Sequence, residues 1–172
     1  MISNKTILAL IPARGGSKGL PSKNTKVICG KPLIVWSIDK AKRSKYLDMI
    51  LVTTDDNEIA KISRAAGAYV PFLRPAELAT DSSSTYDAIR HAINYLSESE
   101  GQKFDYIILL EPTSPLREDD DIDRMLEHMI LHSDNFDSIV SVGEIDEHPS
   151  IVRANQSLQF HPYRALPGDQ LF

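Results

Sequence analysis

Short apolar runs alternate along the chain with segments whose apolar residues follow a helical period. The five runs occupy residues 6–12, 49–53, 69–72, 106–110 and 138–142. A continuous apolar run of this length is typical of a strand that is buried on both faces of a parallel sheet. The clearest helical stripe is formed by Ile122, Met125, Leu126, Met129 and Ile130. Alternating strands and helices predict an α/β fold, doubly wound around a mostly parallel sheet.

Helix-start signals stand at the heads of four intervening segments. They are Pro32, Asp55 or Asp56, Ser84 with Asp87 three residues later, and the acidic residues 119–121. The acidic residues favour a helix start because the positive end of the helix dipole lies there. Gly67 occupies the place after the second helix where a C-terminal glycine belongs. Asp55 and Asp56 also lie at the edge of the sheet where ligands bind, but helix capping accounts for both of them.

Length and composition predict one compact domain over residues 1–172. A formal net charge of −5 disfavours nucleic acid and anionic membranes as partners, since both need a broad basic surface. No apolar run approaches the roughly 18 residues of a membrane span, and residues 1–5 lack the order of a signal peptide. The single cysteine, Cys29, excludes an intrachain disulfide and a Cys-rich zinc site. A cytoplasmic location is therefore expected.

A glycine- and lysine-rich loop, residues 13–24, follows the first predicted strand. Its glycines at positions 15, 16 and 19 let backbone N–H groups approach a ligand closely, and Arg14, Lys18 and Lys23 add three cations. This combination favours a polyphosphate ligand, and a solvated basic turn is the alternative interpretation. The loop has neither the Walker spacing nor the G-x-G-x-x-G spacing, so a P-loop kinase or a dehydrogenase has no support.

Three sequence blocks resemble the acylneuraminate cytidylyltransferases, also called CMP-sialic acid synthetases. They are residues 11–24 (IPARGGSKGLPSKN), residues 74–81 (RPAELATD) and residues 109–117 (LLEPTSPLR). The resemblance implies a Rossmann-like fold of the nucleotide-diphospho-sugar transferase type. It also implies transfer of CMP from CTP to the anomeric hydroxyl of a nonulosonic acid, with release of pyrophosphate. N-acetylneuraminic, legionaminic and pseudaminic acids are nine-carbon sugars of this kind.

The resemblance also assigns roles residue by residue. Arg14, Lys18 and Lys23 would be the catalytic cations that neutralise the triphosphate. The substrate pocket would be lined by Ala13, Ser17, Asn24, Arg74, Ser83, Ser84, Thr85 and Glu111. Within it, Asn24 would contact the cytosine edge with Arg74 beside it. The alternative interpretations are that Arg74 is a surface ion-pair partner and that residues 82–84 form only a helix-cap loop.

Glu111 departs from the family, in which glutamine is common at this place near the sugar. A carboxylate at the carboxyl end of a strand can bind magnesium, or a different substituent of the sugar. The difference therefore favours legionaminic or pseudaminic acid as the sugar. The alternative interpretation is a carboxylate that is paired with Arg117.

Other expectations rest on the resemblance alone. It implies Mg²⁺ as the cofactor and a homodimer as the assembly. The metal ligands stay unassigned, because the late acidic segment that supplies one in the family does not occur in residues 1–172. The chain is thus expected to lack the family's C-terminal portion. Two alternatives follow: a truncated, catalytically inactive subunit that binds CTP, and a CMP-KDO synthetase, which the loop and the third block resemble less.

Overall fold

The computed structural model describes residues 2–17, 19–135 and 137–141. The strands are β1 (Ile7–Pro12), β2 (Val27–Ile28), β3 (Lys31–Pro32), β4 (Met49–Thr53) and β5 (Tyr106–Leu109). The α-helices are α1 (Leu33–Arg43), α2 (Asn57–Ala65), α3 (Thr85–Glu100) and α4 (Asp121–Leu131). All of them belong to one compact unit, Met1–Ile139. A second unit, Val140–Phe172, lies almost wholly outside the described residues, so a single domain over residues 1–172 stays a prediction.

The central sheet has three parallel strands in the order β4-β1-β5 within the described residues. Its register places Met49 opposite Leu8 and Tyr106 opposite Ile7. Residues 7–11 of β1 are fully buried, as expected for a middle strand that is covered on both faces. The chain runs from β1 to β4 on one side and later to β5 on the other side, so the strand order reverses at β1.

Helices cover both faces of this sheet. On one face, α1, α2 and α4 pack on β1 through side chains that include Ile34, Ile59 and Ile122. On the other face, Ala92 and Leu96 of α3 pack on leucines of β1 and β4. Successive residues of a strand point to opposite faces, so the continuous apolar run of β1 supplies both layers. The predicted doubly wound α/β fold is confirmed. No helix in the described ranges combines the length and apolar character that crossing a membrane requires.

Two of the predicted strands do not form within the described residues. At residues 69–72 only Tyr69 pairs with the sheet, through Tyr69 N–H to Ile50 O (2.8 Å) and Val52 N–H to Tyr69 O (2.9 Å). Pro71 follows two residues later and has no N–H to donate, so the pairing stops at a single bridge. Residues 138–141 form no strand, and Val142, the last residue of that prediction, lies outside the described residues.

The polar residues at the starts of α2 and α3 act as caps. Asp56 Oδ1 accepts hydrogen bonds from the N–H groups of Glu58 (2.8 Å) and Ile59 (2.9 Å). Ser84 Oγ accepts from the N–H of Asp87 at 3.1 Å. Asp55 makes no capping bond to α2. The prediction that capping accounts for both aspartates is therefore correct for Asp56 and wrong for Asp55.

Candidate functional site

A cleft of about 270 Å³ opens at the carboxyl end of the sheet. Pro12, the last residue of β1, and Glu111, which follows β5 closely, both line it. β1 and β5 are the neighbouring strands at which the strand order reverses. The loops that leave such a pair diverge, and the crevice between them is where open α/β sheets bind ligands. The position of the cleft thus follows from the topology of the sheet.

The cleft brings together most of the residues that the sequence blocks assigned to the site. These are Arg14, Ser17, Lys23, Asn24, Arg74, Ser83, Ser84, Thr85 and Glu111. Ala13 is not among the lining residues: it is buried in the core, and its N–H donates to Thr53 O at 3.0 Å. That bond continues the pairing of β1 with β4. Lys18 lies outside the described residues, so its role stays a prediction.

The loop after β1 is held against the end of β4. The N–H of Gly15 donates to Asp55 Oδ1 at 2.9 Å. A side chain at position 15 would collide with Asp56, because an added Cβ would lie 2.8 Å from Asp56 Oδ2. Near the end of the loop, the buried Asn24 donates from Nδ2 to Arg14 O at 3.0 Å. Asn24 therefore closes the loop, and its contact with cytosine stays a prediction.

Arg14 bridges the loop to the segment that precedes α3. Its Nη1 donates to Thr80 O at 2.9 Å and forms an ion pair with Asp81 Oδ1 at 2.9 Å. The two side chains are 37% and 44% exposed. An ion pair this exposed contributes only about 0–1 kcal/mol. A polyanionic ligand can therefore displace Asp81 from Arg14 at little cost, which is compatible with the predicted role of Arg14.

Arg74 is the buried cation of the site. Its side chain is only 5% exposed, so the surface ion-pair interpretation is wrong. Among the described residues, Nε and Nη2 have no hydrogen-bond partner. Asp55 Oδ1 lies 3.8 Å from Nη2, which is too far for a hydrogen bond. Burial lowers the pKa of Arg74, and the negative charge of Asp55 opposes that effect. Buried donors without partners are costly, so a ligand that offers acceptors here would be bound favourably.

The serines at residues 82–84 agree with both interpretations that the sequence left open, a helix-cap loop and a wall of the substrate pocket. Ser83 Oγ donates to Glu77 O at 2.8 Å and accepts from the N–H of Thr80 at 3.1 Å, which holds the turn before α3. Ser84 caps α3, and Thr85 is its first residue. Ser83, Ser84 and Thr85 also line the cleft. The helix-cap loop is therefore at the same time a wall of the cleft.

Glu111 lines the cleft with a carboxylate that has no partner among the described residues. Arg117 Nη2 donates to the backbone O of Glu111 at 2.9 Å. In the described part of the chain, no hydrogen bond or ion pair joins the Glu111 carboxylate to Arg117, so the alternative interpretation of a carboxylate paired with Arg117 is wrong. Burial raises the pKa of the Glu111 carboxyl, and the charges of Arg117 and Lys23 partly offset this. Arg117 thus positions the backbone at this point and leaves the carboxylate to a ligand.

The described residues hold no group of three or more His, Cys, Asp or Glu side chains that could enclose a metal ion. Mg²⁺ does not need such a cage, because it commonly takes one or two carboxylates together with substrate phosphates and water. Glu111 fits a role of this kind, because its carboxylate lines the cleft and no described residue pairs with it. The other carboxylate that lines the cleft, Asp81, is engaged by Arg14.

Of two further residues that shape the site, Asp81 was not singled out from the sequence, and Asp55 was placed at the binding edge but attributed to helix capping. Asp81 stands inside the second block, yet only the structure places it against Arg14. Asp55 follows β4, the parallel neighbour of β1, and the carboxyl ends of parallel neighbours meet at one edge. The same rule places Asp55 at the binding edge from the sequence, but the capping role that was assigned to both aspartates belongs to Asp56 alone.

Comparison with known proteins agrees with this geometry. A family model described as cytidylyltransferase matches residues 8–165. CMP-N,N'-diacetyllegionaminic acid synthase of Legionella pneumophila is 42% identical over 153 residues, which cover 88% of this chain and 63% of that protein. N-acylneuraminate cytidylyltransferase of Escherichia coli O18:K1:H7 is 36% identical over 149 residues, covering 86% of this chain and 33% of that protein.

A solved structure extends the comparison to the fold. CMP:2-keto-3-deoxy-manno-octonic acid synthetase, solved with CTP, superposes with a TM-score of 0.62 and 24% identity, covering 74% of this chain and 48% of the other. At that identity the likeness shows the fold alone, and it agrees with the predicted Rossmann-like α/β fold. The chain spans 63% and 33% of the lengths of the two relatives above. The family model and both relatives confirm the resemblance in the three sequence blocks, and the chain belongs to the cytidylyltransferase family.

Proposed function

We propose that this protein transfers CMP from CTP to the anomeric hydroxyl of a nonulosonic acid and releases pyrophosphate. The observation that carries the proposal is the meeting of Arg14, Lys23 and the buried Arg74 around one cleft at the strand-order reversal. The chain's membership of the cytidylyltransferase family supports the same reaction. The names of the two relatives support it as well, because both refer to acids of this class.

The reaction is an in-line displacement at the α-phosphorus of CTP. The anomeric oxygen forms a bond to phosphorus and gives up its proton, while the bond from phosphorus to the oxygen bridging to the β-phosphate breaks. Pyrophosphate carries away the electron pair of that bond. The protein's part is to hold the two substrates in line and to offset negative charge. Arg14, Lys23 and Arg74, which all line the cleft, supply positive charge.

Magnesium is part of the proposal as the cofactor. Glu111 and the phosphates of CTP would hold it, and when bound it would offset the charge on the departing pyrophosphate. A homodimer and a cytoplasmic location complete the proposal. The dimer rests on the family resemblance, and the location rests on the composition of the chain.

Among the nonulosonic acids, we put N,N'-diacetyllegionaminic acid first. The Legionella relative that is named for this acid is 42% identical, compared with 36% for the relative named for N-acylneuraminic acid. Glu111, where glutamine is common in the family, supports a sugar other than N-acetylneuraminic acid. The octonic acid alternative has weaker support, because its likeness to this chain is one of fold at 24% identity.

The test is pyrophosphate release by the purified chain with CTP and Mg²⁺, offering N,N'-diacetyllegionaminic, N-acetylneuraminic, pseudaminic and 2-keto-3-deoxy-octonic acids separately. Lys23→Ala is the test variant, because Lys23 lines the cleft. Lys26→Ala is the matched control, since Lys26 is exposed, lies three residues away and does not line the cleft. Calorimetric titration with CTP measures nucleotide binding independently of turnover.

We expect release with one nonulosonic acid, a loss of at least about tenfold in Lys23→Ala, and no change in Lys26→Ala. Binding of CTP without release for any sugar would replace the proposal by the inactive CTP-binding subunit. Release with the octonic acid alone would replace it by the other alternative. A wild-type chain that neither binds CTP nor releases pyrophosphate would refute a nucleotidyltransferase role.

A further inference from the structure

Asp55 lies behind the cleft, where two parts of the site meet. It does not line the cleft, and its side chain is 26% exposed. Its Oδ1 accepts the N–H of Gly15 at 2.9 Å and lies 3.8 Å from Nη2 of Arg74. One carboxylate oxygen therefore faces both the glycine loop after β1 and the buried arginine beyond β4.

Helix capping does not explain this arrangement. The cap of α2 is Asp56, whose Oδ1 accepts from the N–H groups of Glu58 and Ile59. Asp55 takes no part in these bonds. The end of β4 thus carries two adjacent aspartates with different tasks: Asp56 holds a helix, and Asp55 faces the site.

The carboxylate of Asp55 is the counter-charge for Arg74. The arginine side chain is 5% exposed, and its Nε and Nη2 have no hydrogen-bond partner among the described residues. A buried cation without a nearby anion is strongly destabilising. At 3.8 Å, Asp55 offsets the charge without using a donor of Arg74. The arginine therefore stays charged, and no acceptor among the described residues uses its Nε or Nη2.

The same carboxylate sets the position of the loop. The amide of Gly15 points at Asp55, and the space beside its Cα is closed by Asp56. The residues on either side of Gly15 carry the backbone N–H groups and the cationic side chains that the loop offers to a phosphate ligand. A shift of Asp55 would therefore move the loop and the orientation of Arg74 together.

We propose that Asp55 is a positioning residue that couples the glycine loop to Arg74, so that both meet one nucleotide in a fixed relation. This inference rests on the proposed function, because it takes CTP as the nucleotide. Asp55 contacts no substrate; it acts through the backbone of Gly15 and the guanidinium of Arg74. Its removal should accordingly weaken nucleotide binding more than it slows the chemical step.

Two substitutions separate the two contacts. Asp55→Asn keeps an oxygen acceptor for the N–H of Gly15 but removes the charge opposite Arg74, whereas Asp55→Ala removes both. Asp119→Asn is the matched control: Asp119 forms ion pairs with Lys40 and Arg43 at the surface and does not line the cleft. The readouts are the Kd of CTP by calorimetry, and kcat and KM from pyrophosphate release.

We expect Asp55→Asn to raise the Kd and KM for CTP about five- to tenfold, with kcat within about twofold of wild type. Asp55→Ala should raise the Kd about 10- to 100-fold, since it also removes a hydrogen bond to a charged acceptor. Asp119→Asn should match wild type in all three constants. An Asp55→Asn variant that binds CTP as tightly as wild type would overturn the inference.

A second measurement separates coupling from a general loss of structure. In a thermal unfolding cycle, Asp55→Asn leaves the charge of Arg74 without its counter-charge and lowers Tm. Arg74→Met removes that charge, so adding Asp55→Asn to it should lower Tm by clearly less than Asp55→Asn does in the wild type; the remainder reflects the weaker acceptor for the N–H of Gly15. Additive losses in the double variant would show that the two residues act independently and would overturn the coupling.

The unfolding cycle needs no nucleotide, so the two proposals can fail separately. A wild-type chain that binds no CTP refutes the proposed function and the nucleotide part of this inference, whatever the cycle gives. A wild-type chain that binds CTP and releases pyrophosphate, with an Asp55→Asn variant that behaves identically, refutes only the inference.

Discussion

An alanine at position 15 would place its Cβ 2.8 Å from Asp56 Oδ2 and 2.9 Å from Asp56 Cβ. Carbon atoms do not approach other atoms this closely without displacement. Asp56 has little freedom to turn away, because its Oδ1 caps α2 through bonds of 2.8 and 2.9 Å. The loop must move instead, and that movement breaks the 2.9 Å hydrogen bond from Gly15 N–H to Asp55.

The size of the effect follows from these two contacts. Overpacking typically costs about 1–3 kcal/mol, and a hydrogen bond to a charged group contributes about 1.5–3 kcal/mol. These two costs are alternatives and do not add. The loop shift that relieves the overlap with Asp56 is the same shift that breaks the hydrogen bond to Asp55. We therefore expect Gly15→Ala to lower the free energy of unfolding by about 2 kcal/mol, which lowers Tm by about 4–8 °C in a chain of this size. CTP binding should weaken as well, because the displaced loop carries the phosphate-facing backbone.

Thermal unfolding followed by circular dichroism measures this loss, with Gly16→Ala as the matched control. An added Cβ at Gly16 meets nothing within 4 Å. Both variants restrict the unfolded chain to the same extent, so that contribution cancels between them. If Gly15→Ala melts at the same temperature as Gly16→Ala, the close packing of the loop on the end of β4 is not what holds it.

Two further predictions concern pH. Burial raises the pKa of Glu111, so the charged carboxylate destabilises the folded chain at pH values above its unfolded-state pKa. Glu111→Gln should therefore raise Tm at about pH 7.5 and leave Tm unchanged near pH 4. The same variant should lower kcat. An equal gain in Tm at both pH values would contradict the burial argument. Hydrogen bonds lower the pKa of Asp105 to about 2; the bond from the N–H of Thr6 has the largest effect, and the bond from Lys5 comes next. The stabilising effect of the Asp105 carboxylate is present above pH 3.8, the ordinary pKa of Asp, and is lost as the pH falls towards 2. Asp105→Asn should therefore lower Tm at neutral pH and make the decline of Tm over that acid range less steep. If Tm declines with falling pH in parallel for Asp105→Asn and wild type, the stabilising role of the Asp105 carboxylate is contradicted.

The sequence predicted the elements whose signals are local. The apolar run at residues 6–12 became β1, the middle strand, because a strand covered on both faces needs apolar side chains at every position. Ser84 and Asp56 cap helices in the way that their side chains favour. The prediction failed at residues 69–72, where Pro71 cannot donate to a ladder and Tyr69 alone pairs. An apolar run predicts that a segment is buried, but it does not predict how many ladder bonds the segment can make.

The sequence by itself determined the fold class, the family and the three stretches of chain that line the cleft, because these depend on hydrophobic period and on motifs within short spans. Only the tertiary structure decided which group each charged side chain contacts. Arg74 is buried rather than on the surface, Arg117 contacts the backbone of Glu111 rather than its carboxylate, and Asp55 accepts the N–H of Gly15 rather than capping a helix. The physical reason is that Asp55 meets residues from two other stretches of chain, Gly15 and Arg74. Such contacts depend on which loops the parallel sheet brings to one edge, and no local pattern contains that information.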